Sequence, residues 1–121
     1  MKVRCTRLLD AFGNAQESSA WLTIGKVYHV LSIILDGHGN WLLRLVGDTA
    51  PGGGFFPLHQ FEVLTSKIPD TWIVTWNNNG VFELTTNEWN QLGYWERYFE
   101  NDAEAIRVFE EEKRKIILAD P

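Results

Sequence analysis

"GDTAPGGGFFPLHQFEVL" (Gly47–Leu64) is the stretch on which the fold turns. Its glycines invite a phosphate-loop reading, and the residues behind them refuse it. A Walker-type loop needs Lys and then Ser or Thr after its last glycine, to reach the phosphates and the magnesium. Here Gly54 is followed by Phe55, Phe56 and Pro57. A dinucleotide loop must open a helix whose first amides meet the pyrophosphate, but "LHQFEVL" is β-like. The stretch therefore predicts a hairpin tip at Gly52–Gly54, then a strand, one tight turn and another strand.

Upstream, the pattern is again short strands between turns. "WLLRLV" (Trp41–Val46) places Trp41, Leu43 and Leu45 on one face and Leu42, Arg44 and Val46 on the other. "DGHGN" (Asp36–Asn40) supplies residues that tolerate the positive φ of a tight hairpin. "KVYHVLSIIL" (Lys26–Leu35) is rich in β-branched and aromatic residues and predicts one central strand. "KVRCTRLL" (Lys2–Leu9) alternates as a half-buried strand. The polar run "DAFGNAQESSAWLTIG" (Asp10–Gly25) between them reads as a loop.

These segments resemble Src homology 3 domains. "GFFPLHQFEVL" is similar to their last turn and strand, "WLTIGKVYHVL" to the approach to their second long strand, and "DGHGNWLLRLV" to the hairpin that delivers a groove tryptophan. The resemblance covers residues 1–65 and implies a small five-stranded barrel. It also implies a peptide groove of Trp41, Pro57 and Phe61 with Phe12 nearby, and Phe55 and Phe56 beside them. Phe12 and Phe61 stand where the family has Tyr and lack its hydroxyls, so the resemblance implies the barrel rather than the proline-rich ligand.

Residues 66–121 have a different texture. "KIPDTWIVTW", "NNNG" and "VFELTT" (Lys67–Thr86) predict a β-hairpin turning at Asn79-Gly80, with Trp72, Val74 and Trp76 on one face. Thr85 and Glu88 fit a capping box for a short helix ending at Gly93, and "YWERYF" (Tyr94–Phe99) fits strand or helical turn. Asn101 and Glu104 repeat the box ahead of a helix over about 102–118, with Ile106, Phe109, Lys113 and Ile116 near one face. Glu110–Arg114 and Glu111–Lys115 have the order of favourable i,i+4 pairs. The fold class expected is α+β: a barrel over residues 1–65, extended by a hairpin and a C-terminal helix over residues 66–121.

Charge narrows the function. The net charge of −5 lies wholly in the second half: residues 1–65 balance five acids with five bases, whereas residues 66–121 carry eleven acids against six bases. An acidic surface repels nucleic acid and anionic membranes and steers a basic partner inward. A nucleic-acid role would need a basic stripe of Lys2, Arg4, Arg7 and Arg44. No run approaches the ~20 apolar residues of a membrane span. The single Cys5 predicts a reducing, cytoplasmic setting. Neither Cys5 nor His29, His38 and His59 shows catalytic or metal-ligand spacing, so no metal or cofactor is expected.

The candidate partner site is "YWERYFENDAEA" (Tyr94–Ala105), where Trp95 and Tyr98 would anchor a basic protein and Glu96, Glu100, Asp102 and Glu104 would steer it. The competing reading puts the rings in the core and the acids in water. The chain has the general character of small immunity proteins that neutralise partner toxins, a resemblance of size, acidity and aromatic content. The function expected is a non-enzymatic protein-binding module. The alternatives are a peptide adaptor using Trp41, Phe55, Phe56 and Pro57, and a small hydrolase-like enzyme with paired carboxylates.

Overall fold

The computed structural model describes residues 1–49 and 54–121. Gly52 and Gly53 of the expected hairpin tip lie outside the described residues, and Gly54 opens a strand. The described residues are mixed α+β, with eight strands in two antiparallel sheets and a C-terminal helix. The smaller sheet has the order β2 (Val27–His29), β1 (Lys2–Cys5), β6 (Phe61–Thr65). The larger has the order β5 (Gly54–Pro57), β4 (Trp41–Leu45), β3 (Ser32–Leu35), β8 (Phe82–Thr86), β7 (Trp72–Trp76). A 3₁₀ turn at Leu58–Gln60 separates β5 from β6, the strand–turn–strand read from the sequence.

The expected single strand Lys26–Leu35 is instead two, one in each sheet. Val30 and Leu31 hand the chain across: Val30 donates its amide to Met1 O at 3.0 Å, and Leu31 donates to Arg44 O at 2.7 Å. Both side chains are buried, Val30 in one core and Leu31 in the other. Continuous hydrophobicity conceals such a corner, because a strand that changes sheets stays apolar throughout.

The two hairpin turns form as their residues dictate. Asp36 Oδ1 accepts the amides of His38 (2.8 Å) and Asn40 (2.9 Å), and these donors hold its carboxyl below the ordinary range. Asn77 Oδ1 does the same for Asn79 and Val81, with Gly80 at φ +81°. The turns abut: a Cβ on Gly37 would lie 2.8 Å from Asn79 O. Because β8 pairs with β3, residues 66–121 share a sheet with residues 1–65.

Past β8 the caps shift by one residue from the sequence expectation. Thr85 stays buried in the strand, and Thr86 Oγ1 accepts the amide of Trp89 at the 3₁₀ turn Glu88–Asn90. Gly93, at φ +76°, leads directly into α1 (Tyr94–Phe99) rather than ending the structure. Asn101 takes positive φ (63°) and Asp102 caps α2 (Ala103–Ala119), its Oδ1 accepting from Ala105 N at 3.0 Å. The buried stripe of α2 is accordingly Ala105, Phe109, Glu112 and Ile116, while Ile106 faces outward. Glu110 pairs with Lys113, not Arg114, whereas Glu111 does meet Lys115.

Two cores result. One fills the space between the sheets with Val3, Cys5, Leu22, Tyr28, Leu43, Leu45 and Trp72. The other joins Leu31 to an aromatic cluster of Trp89, Tyr94, Tyr98 and Phe109. Phe109 is fully buried, with Tyr98 at 4.9 Å and Trp89 at 5.4 Å between ring centroids. Burying one such ring contributes roughly 2–3 kcal/mol.

Candidate partner-binding surfaces

The aromatic–acidic segment divides into a buried and an exposed set. Tyr98 packs on Phe109 and Trp95, so it is a core ring and not a surface anchor. Tyr94 is also buried; its hydroxyl donates to Ala105 O at 2.7 Å, and burial pushes its pKa up to about 12. Trp95 is half-buried, with the Arg44 guanidinium 3.7 Å from its ring centroid. Arg44 in turn lies 4.2 Å from the Phe55 ring, so it joins the larger sheet to α1.

α1 shows Glu96, Arg97 and Phe99 to solvent and Glu100 is exposed at its C-cap; Glu96, Phe99 and Glu100 fall at i, i+3 and i+4. Phe99 is 63% exposed, and Leu92, on the approach to the helix, is 99% exposed. Asp102 is exposed but engaged as the α2 cap. Glu104 is clamped by Arg107 at 2.5 Å, which holds its carboxyl below the ordinary range. Of the six residues expected here, Glu96 and Glu100 remain as uncommitted surface carboxylates. The sequence reading missed Leu92 and Phe99, because an apolar residue's exposure is decided by its neighbours in space.

The expected groove residues fall in two places. Phe55, Phe56 and Pro57 border a cleft of about 340 Å³ with Leu9, Trp21 and Gln60. Trp41 and Phe61 border another of about 470 Å³ with Leu58, His59 and Val63. Phe12 lines neither and is 90% exposed on its loop. Strand register also sets Trp41, Leu35, Phe82 and Trp76 in one cross-strand row, with Trp41 46% and Trp76 75% exposed. An apolar band thus runs from Val63 past Trp41 to Trp76.

The loop Asp10–Gly25 is fixed at its end by Asp48. Asp48 accepts from Thr23 Oγ1 at 2.7 Å and Tyr28 Oη at 3.0 Å, and pairs with Lys26 at 2.5 Å. Lys26, Thr23 and Tyr28 together hold the Asp48 carboxyl below its ordinary range. Cys5 is buried, and burial raises its thiol pKa, opposite to what a nucleophile needs. Among the described residues no group of three or more His, Cys, Asp or Glu side chains is placed to hold a metal. Among the same residues no helix is long and apolar enough to cross a membrane.

The geometry defines a mixed α+β chain with exposed aromatic surfaces and a buried thiol. No protein-family model, curated protein or solved structure matches it.

Proposed function

We propose that this chain is a non-enzymatic protein-binding module of the immunity type, capturing a basic partner in a reducing, cytosolic setting. The observation that carries the reading is on α1 and its C-cap: Glu96, Phe99 and Glu100 are all exposed at neighbouring helical positions, with Leu92 exposed two residues before the helix. Rings that exclude water next to carboxylates that steer cations form a surface suited to a basic protein. Leu92 and Phe99 take the anchoring role that Trp95 and Tyr98, drawn into the core, leave open. A Src homology 3-like barrel is the architecture proposed for residues 1–65. Its support is that β1 pairs with both β2 and β6, while β3, β4 and β5 follow one another in the larger sheet.

The test is affinity capture with the wild type and with E96K/E100K, at low salt and at ~0.5 M salt, where surface charge contacts are screened. A basic protein retained at low salt, depleted at high salt and captured at least tenfold less by the variant is the expected result. Equal capture by both proteins refutes the acidic-face reading.

A second reading is favoured by the apolar band. Trp41, Leu58, Phe61 and Val63 line an open groove able to take an extended apolar peptide. Under this reading Trp41→Ala abolishes binding while circular dichroism stays unchanged, and E96K/E100K leaves it intact.

A further inference from the structure

Among the described residues the two sheets have four edge strands: β2, β6, β5 and β7. Edge strands expose unpaired amides and carbonyls, and soluble proteins blunt them with charge, proline, brevity or cover. Three of the four are blunted here. β2 is three residues long and ends in His29; β6 carries Glu62; β5 carries Pro57. β7, "WIVTW", has no charge, no proline and no glycine, and its one partner strand among the described residues is β8. It is also unusually apolar for a free edge: Val74 is 48% and Trp76 75% exposed.

We propose that β7 is a self-association edge, pairing antiparallel with β7 of a second copy of this chain across a twofold axis at Val74. A twofold contact must be self-complementary, and an antiparallel pair of identical strands meets that requirement. With Val74 opposite Val74, each exposed Trp76 comes beside Trp72 of the other copy, and Ile73 comes opposite Thr75. The nearest acid in this segment, Asp70, comes opposite Asn78, so two molecules of net charge −5 meet without opposed carboxylates. Another strand edge would bring a titratable or proline residue into the contact. Five-residue strands bury less than the ~1,200 Å² of a standard stable interface, so the dimer is weak, with Kd on the order of 100 µM.

Sedimentation velocity from about 5 to 500 µM tests the idea. The wild type should shift from monomer toward dimer over this range, and β7 amides should exchange more slowly at the high end. Val74→Glu and Val74→Lys each place like charges on the axis, and each alone should weaken self-association at least tenfold. Mixed in equal amounts they should restore a dimer, because opposite charges then meet on the axis. Circular dichroism on each variant checks its fold, and the wild-type series needs no variant. A wild type that stays monomeric to 500 µM overturns the proposal. So does a dimer that both variants form as readily as the wild type, since that dimer uses another face.

Discussion

Replacing Arg44 by Met, by Ala, and by Met together with Glu83→Gln separates what this side chain contributes by shape from what it contributes by charge. Arg44 is 5% exposed, with its guanidinium 3.7 Å from the Trp95 ring centroid and 4.2 Å from that of Phe55. Burial lowers its pKa from 12.5 to about 10, with Glu83 acting in the opposite direction. That fall corresponds to roughly 3 kcal/mol against the charged form. Two desolvated cation–π contacts of up to ~2 kcal/mol each offset it. The charge therefore comes close to balance, and the body of the side chain, filling the gap between sheet and helix, supplies the net stability.

Arg44→Ala should cost about 3 kcal/mol or more, from the cavity it leaves. Arg44→Met keeps most of the volume but removes the positive charge near Glu83, whose carboxyl burial already raises. An acid whose folded pKa lies above its unfolded value of ~4.3 loses stability as pH rises through that window. Met alone should therefore be destabilised at pH 7 and recover as pH falls toward ~4. R44M/E83Q removes both charges, and should lie within about 1.5 kcal/mol of the wild type with no such recovery. The assay is urea unfolding followed by tryptophan fluorescence at several pH values and fixed ionic strength. If R44M/E83Q costs as much as Arg44→Ala, charge rather than shape holds the two cores together and the reasoning is refuted.

Asp48→Ala removes the shared acceptor of Thr23, Tyr28 and Lys26 and should cost about 1–2 kcal/mol at pH 7. Because the Asp48 carboxyl is held below its ordinary value, its contribution is present above ~pH 4 and is lost as pH falls through the folded pKa. The gap between wild type and variant in thermal melts should close at acid pH, and a constant gap would contradict this account. Gly37→Ala drives a Cβ to 2.8 Å from a backbone carbonyl of the facing turn, which cannot rotate away. It should cost about 1–3 kcal/mol in urea melts, and an unchanged midpoint would mean that the two turns move apart freely.

Local chemistry made much of the fold legible in the sequence. Turns at Asp36–Asn40 and Asn77–Gly80 are written in residues that accept positive φ or bond their own backbone, and the hairpins they close followed. The residues behind Gly54 excluded a phosphate loop without any knowledge of their neighbours. The polar residue that bonds each entry was legible to within one residue: Thr86 rather than Thr85 accepts from Trp89, and Asp102, in the extended region, rather than Asn101, at positive φ, accepts from Ala105.

Other features were decided only in three dimensions. Whether "KVYHVLSIIL" is one strand or a corner depends on Met1 and Arg44, distant in sequence, accepting the amides of Val30 and Leu31. Whether an aromatic ring is core or surface depends on what lies above it. Phe109 covers Tyr98 and leaves Phe99 in water, though the two aromatic residues are adjacent in the same helix. The same holds for Trp72, buried between the sheets, and Trp76, four residues along the same strand face but beyond the end of that core. Sequence by itself determined where the chain turns and, to within one residue, which side chains bond the helix entries, because those choices are made within a few bonds. Tertiary structure alone determined which apolar side chains were left for a partner, because hydrophobic burial is non-directional and responds to all the surface that comes near.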